Sequence, residues 1–218
     1  MRMTQPLDAR WAVLWIHEAA RVVAENRARL IELDRAIGDA DHGENMDRGF
    51  SAAVAKLDAG EAPGTPAAVL KQVAMTLMST VGGAAGPLYG TAFLRAATFL
   101  GDAEEIDAAA AAGMIGAARD GIVARGKAES GDKTMVDAWT PATDAAATAT
   151  QSGANASEVL AAAAAAARDG AVATEPLIAR KGRASYLGER SAGHRDPGAE
   201  STALILQVAA ETAGGRVA

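Results

Sequence analysis

The spacing of apolar positions along the chain is helical almost from end to end. Leu70, Val73, Ala74, Leu77, Met78 and Val81 recur at i, i+3, i+4, i+7, i+8 and i+11, which places them on one face of a helix and excludes a strand. Trp11, Leu14, Trp15, Val22, Val23 and Leu30 fit one long amphipathic helix over 7–33. Periodicity and alanine content predict further helices over 44–58, 88–100, 104–125, 134–150, 156–173 and 199–213, about eight in all. No segment alternates with period two. The run from Ala203 to Ala210 is apolar on every side and reads as a buried helix. Alanine tracts at 107–112 and 161–167 read as ordinary helices, because alanine is the strongest helix former and lets helices approach closely. No solenoid repeat is visible. The expected fold class is all-α, a closed barrel or bundle of about eight antiparallel amphipathic helices.

Composition bounds what such a bundle can be. At 218 residues the chain can bury one sizeable core, so 1–218 is expected to form a single domain. Half the residues are hydrophobic, yet no apolar run reaches the roughly 18 residues a membrane span needs. Residues 1–6 carry one arginine and no apolar stretch, unlike a secretory signal. The absence of cysteine removes disulfide and thiolate chemistry and fits a cytoplasmic protein. A net charge of −6 argues against a broad nucleic-acid surface. A polyanionic ligand would have to be held locally.

Four glycine- and charge-rich stretches lie between the expected helices, each just before one. In Leu33-Asp-Arg-Ala-Ile-Gly-Asp-Ala-Asp-His-Gly43, the carboxylates Asp34, Asp39 and Asp41 crowd together. Such a cluster repels itself unless a cation sits within it, and an all-oxygen donor set favours a hard ion such as Mg2+. The stretch is not an EF-hand, because the fifth ligand position is Gly43 and no Glu closes the loop. The other three are Val81-Gly-Gly-Ala-Ala-Gly-Pro-Leu-Tyr-Gly90, Arg125-Gly-Lys-Ala-Glu-Ser-Gly-Asp-Lys-Thr134, and 179–198 with Arg180, Lys181, Arg183 and His194. No Walker A pattern occurs, and no strand-turn-helix context supports a Rossmann site. Helix N-termini present unpaired N–H groups and the positive end of the dipole, so four such loops at one end of a bundle would cradle phosphates. The bland alternatives are a tight helix-helix turn at 82–90, a solvated charge run at 180–183, and a helix cap at Thr134 or Asp132. His42 reads as a hydrogen-bond donor to ligand or backbone.

These four motifs, in this order, closely resemble the nucleotide-binding L subunit of dihydroxyacetone kinase, and the resemblance covers nearly the whole chain. It implies an eight-helix barrel with the nucleotide, ADP or ATP, at one end. It implies two Mg2+ ions on Asp34, Asp39 and Asp41, with Arg183 as a further catalytic cation. His42, Gly43, Glu44, Asn45, Ala84, Ala85, Gly126, Thr134, Met135, Arg183, Asp196, Pro197 and Gly198 fall at the family's nucleotide-contact positions. Many relatives carry Ser at the position of Ala85, a hydroxyl worth about 0.5–1.5 kcal/mol if it bonds the ligand. The implied activity is transfer of the γ-phosphate to dihydroxyacetone held on a separate K subunit. ADP would be rephosphorylated in place by a phosphotransferase-system M subunit, and the chain alone would be inactive. Chain length favours this mode over that of the single-chain, ATP-exchanging kinases. Two other readings are a kinase subunit for a related ketose such as erythrulose, and an ADP-dependent module that engages a transcription regulator. A homodimer is compatible with all of them.

Overall fold

The computed structural model describes residues 6–215, so the reading of 1–6 as unlike a secretory signal falls almost wholly outside the described residues. Among the described residues nine α-helices follow one another: α1 (Ala9–Glu25), α2 (Arg27–Ile37), α3 (His42–Ala59), α4 (Pro66–Thr80), α5 (Ala85–Leu100), α6 (Ala108–Gly126), α7 (Val136–Gln151), α8 (Ala156–Ala173) and α9 (Pro197–Ala213). A kinked 3-10 segment, Arg183–Ser191, lies in the connection before α9. There is no strand among the described residues. Starts are set by local chemistry. Asp8, Thr65, Asp107 and Asp196 each accept a backbone N–H of the first turn, Pro66 and Pro197 follow two of them, and Asn155 with Glu158 closes a capping box.

The single helix expected over 7–33 is two. Asn26 adopts φ −96° and ψ 5°, and its side-chain amide donates to the Val22 carbonyl at 2.8 Å. A short polar side chain thus competes for the backbone acceptor and lets the chain turn. The turn has a consequence for packing. Helix α1 joins the ring of helices, whereas α2 lies against α3, α9 and the 3-10 segment.

Eight helices close a ring, each packed on the next in the order α1, α3, α4, α5, α6, α7, α8, α9 and back to α1. The connections from α3 to α8 are short, which makes neighbours antiparallel. Ring closure is filled by an aromatic ladder: Trp11 stacks on Trp15 at 5.4 Å between ring centroids, Trp15 meets Phe93 at 5.6 Å, and Phe93 meets Phe50 at 6.2 Å. Trp15 Nε1 donates to the Ile205 carbonyl at 2.9 Å and Trp11 Nε1 to Thr212 Oγ1 at 3.1 Å, tying α1 to α9. The alanine tracts sit within α6 and α8, where they permit close approach. A Cβ on Gly170 would fall 2.3 Å from the Asp137 carbonyl of α7. No described helix is long and apolar enough to cross a membrane.

Alternation brings the connections 38–41, 81–84, 127–135 and 174–196 to one end of the ring, and residues from all four line a common cleft. Those are the four glycine- and charge-rich stretches.

Candidate nucleotide and metal site

Asp34 sits in the last turn of α2 and is nearly buried. Its Oδ2 accepts the backbone N–H groups of Asp41 at 2.8 Å and His42 at 3.1 Å, which fold the 38–41 turn back over it. Ala40 stands at φ 63°, an unfavourable region for a Cβ-bearing residue, between Asp39 and Asp41. The result is a cluster in which one oxygen from each of Asp34, Asp39 and Asp41 lies within 4.8 Å of the others. Burial, reinforced by Asp39 and Asp41, raises the Asp34 pKa, although two backbone N–H bonds oppose the shift. A divalent cation would relieve this repulsion, and the hard oxygen donor set fits Mg2+. Arg183 reaches over from the 3-10 segment and pairs with Asp39 at 2.8 Å.

The cleft holding the cluster is open to solvent, spans about 740 Å3 including its open mouth, and has Asn45, Gly82 to Ala85, Lys133, Thr134, Lys181 to Ala184, Asp196 and Pro197 on its walls. Helix α5 begins at its edge with no side-chain cap, so its first N–H groups remain available to an anion. Asn45 is buried, and its Oδ1 is occupied by a short hydrogen bond from Arg48, which also donates to the Thr80 carbonyl at 3.0 Å. The Asn45 amide group is left as the donor.

A second hollow of about 710 Å3 shares Ala84, Thr134, Lys181 and Gly182 with the first. Its remaining wall is mostly apolar and includes Leu88, Ile122, Gly126, Ala128, Met135 and Val136. A polar cleft joined to an apolar slot suits a phosphorylated molecule with a flat, weakly polar ring.

The residues singled out from sequence are not all equivalent in space. Asp34, Asp39, Asp41, His42, Asn45, Ala84, Ala85, Thr134, Arg183, Asp196 and Pro197 line the cleft, and Gly126 and Met135 line the slot with Thr134. Glu44 is exposed and pairs with Arg27 at 3.1 Å. Gly43 is buried where a Cβ would lie 2.3 Å from the Arg27 carbonyl, so it lets α3 start against α2. The Gly198 carbonyl accepts the Tyr89 hydroxyl at 3.0 Å. Thr134 caps α7 by accepting the Val136 N–H at 3.2 Å, while Asp137 returns a bond to the Thr134 N–H at 2.8 Å. Asp132 instead accepts the Glu129 N–H within its own loop.

His42 is buried with Nε2 at 2.9 Å from the Ser201 hydroxyl, and burial lowers its pKa to about 4. It is therefore neutral at physiological pH and acts as a fixed part of a network. Ser201 also meets the Tyr89 hydroxyl at 2.7 Å, and Thr202 meets it at 2.8 Å. Sequence reading missed this network, Arg48 and the burial of Lys133. Tyr89 and Lys133 lie inside the quoted motifs, but nothing in their spacing tells which way their side chains turn.

Asp196 caps α9 through the Ala199 N–H at 2.7 Å. Burial pushes its pKa up to about 7, with Asp137 and Asp34 adding to the shift and Lys133 opposing it. A raised acid pKa means the folded protein keeps a proton that the unfolded chain releases, so this group's stabilisation fades as pH rises from about 4 to about 7. Asp196→Asn keeps a capping acceptor and is expected to remove that slope. Thermal melts in EDTA should show wild type losing a few °C more than the variant across that window; parallel melting curves would contradict the raised pKa of the acid.

The DAK2 domain model matches residues 36–211. The chain is 44% identical over 198 residues to the ADP-binding subunit DhaL of the PEP-dependent dihydroxyacetone kinase of Escherichia coli K12, covering 91% of this chain and 94% of that one. It is 43% identical over 205 residues to the ADP-binding subunit DhaL of PEP-dependent dihydroxyacetone kinase 1 of Listeria innocua, covering 94% and 97%. Among solved structures, the dihydroxyacetone kinase of C. freundii in complex with AMP-PNP and Mg2+ superposes with a TM-score of 0.68 at 22% identity, over 96% of this chain and 35% of that one. That likeness concerns the fold.

Proposed function

Since the chain belongs to the DAK2 domain family, with the DhaL subunits of dihydroxyacetone kinase, we propose that it is the nucleotide-carrying subunit of such a kinase. It holds ADP or ATP and passes the γ-phosphate to dihydroxyacetone on a separate K subunit. ADP is then rephosphorylated in place by the M subunit of a phosphotransferase system. The observation that carries this reading is the union of the three-carboxylate cluster with the apolar slot through one shared wall.

Each part of the site has a task in that reading. The slot beside Leu88, Ile122 and Met135 takes the nucleobase and excludes water from it. The N–H groups opening α5 and the Asn45 amide group orient the phosphates. Asp34, Asp39 and Asp41 would hold two Mg2+ ions, which when bound neutralise charge on the phosphate oxygens. Arg183 adds an exposed cation at the mouth, its side chain 68% exposed and paired with Asp39. Phosphoryl transfer through a loose transition state asks mainly for this positioning and charge.

In this reading the triose is held by the K subunit, and this chain supplies the phosphoryl group. The test is reconstitution: the purified chain with K and M subunits, phosphoenolpyruvate and the general phosphotransferase proteins is expected to form dihydroxyacetone phosphate, and omission of this chain to stop it. Product formation that continues at the same rate without the chain would refute the assignment.

A further inference from the structure

Lys133 is a lysine that the proposed chemistry does not use, yet it is 1% exposed and lies on the cleft wall. Its backbone stands at φ 63° in the α6–α7 connection, and its side chain runs inward. Nζ donates to the carbonyls of Thr174 at 2.7 Å, Glu175 at 3.3 Å and His194 through a short bond. An ammonium has three N–H donors, and three carbonyls take them all. No donor remains for a phosphate.

Those carbonyls belong to the two ends of one strap, the 174–196 connection. Thr174 and Glu175 follow the last turn of α8, where orphan carbonyls and the negative end of the helix dipole favour a cation. The same base is knotted by Gly193 N–H to the Glu175 carbonyl at 2.7 Å and Asp196 N–H to Thr174 Oγ1 at 2.9 Å. From this base the strap runs past Asp132, whose carbonyl accepts the Arg180 N–H at 3.0 Å, to Lys181, Gly182 and Arg183. Its apex then packs Ala179 and Ala184 on Ile37 of α2, three residues beyond Asp34. Lys181 and Gly182 are wall for both the polar cleft and the apolar slot.

We propose that Lys133 is a positioning residue whose ammonium clasps the two ends of the 174–196 strap, and thereby sets the spacing of the wall shared by the phosphate cleft and the base slot. This rests on the nucleotide reading above. It differs from a direct phosphate contact in one measurable way. A phosphate ligand matters for ADP and not for adenosine, whereas a misplaced shared wall weakens both.

The test compares wild type, Lys133→Met and Thr212→Val, each first freed of nucleotide with EDTA, by calorimetric binding of ADP with Mg2+ and of adenosine, with hydrogen exchange across 174–196. Thr212→Val removes the acceptor of Trp11 Nε1, a buried bond far from the cleft, and serves as a control for lost stability. Lys133→Met is expected to keep its helical signal, to exchange faster across the strap, and to bind both ligands about tenfold more weakly or worse. Thr212→Val is expected to melt lower with unchanged affinities. If Lys133→Met does not fold, Lys133→Gln, which keeps an amide donor for the carbonyls, takes its place in the same comparison. Affinities within about twofold of wild type, unchanged exchange in the strap, or weakening confined to ADP would overturn the positioning role. Wild type that binds neither ligand would instead remove the nucleotide reading, and the exchange comparison would still judge the clasp.

Discussion

Asp39→Asn is expected to suppress phosphoryl transfer in the reconstituted system by about three orders of magnitude while leaving the melting temperature within a few °C of wild type. The two halves of that expectation come from the same geometry. Asp39 lies in the turn between α2 and α3, its side chain about one third exposed, and it pairs with the exposed Arg183 guanidinium. Surface pairs of this kind add little to stability. Asparagine keeps the size and one acceptor oxygen but removes the charge that a hard cation needs. Asp34 would be a poorer choice, because its Oδ2 also closes the turn through Asp41 and His42. Coupled detection of dihydroxyacetone phosphate with a thermal melt on the same preparation checks both halves. Near-normal turnover by a folded variant would remove Asp39 from the metal site.

Gly38→Ala is expected to damage the site from a residue that offers no side chain of its own. A Cβ there would fall 2.1 Å from Asp34 Oδ1 and 3.0 Å from its Cγ. The Gly38 N–H is tied to the Asp34 carbonyl at 2.5 Å, so the backbone has little room to retreat. The carboxylate must rotate away, which disturbs its bonds to the Asp41 and His42 N–H groups. A stability loss of about 1–3 kcal/mol follows from overpacking and loosened polar bonds. The larger effect is on the metal: Mg2+-dependent affinity for ADP should fall by about 10²-fold, measured by titration at fixed ADP. A variant with wild-type Mg2+ dependence would mean that Asp34 is not a ligand in its present rotamer.

Much of the fold was legible because helical periodicity is a local signal. The stripe from Leu70 to Val81 and the alanine-rich runs within α6 and α8 need no knowledge of distant residues. The break at Asn26 was hidden for the opposite reason. Leu30 and Leu33 stay buried after the turn, so the apolar period continues through it although the chain changes direction. At the site, the carboxylates were legible as a charge anomaly within eight residues. Their supports were not. Lys133 meets residues 41 and 61 positions away, and Tyr89 meets Ser201 at a separation of 112. Only the closed ring brings such partners together, and polar residues inside a glycine-rich motif look alike whether they face the ligand or hold the wall. Glu44 illustrates the converse, since it sits in the most informative motif yet faces solvent beside Arg27.

The central claim is that the three carboxylates and the slot together hold a nucleotide through divalent cations. The direct measurement is the nucleotide content of the purified protein after long dialysis, once with Mg2+ and once with EDTA, read by denaturation and ion-pair chromatography. About one ADP per chain is expected with Mg2+ and essentially none after EDTA. Protein that carries no nucleotide and binds none on adding ADP with Mg2+, or that keeps ADP equally well in EDTA, would contradict it.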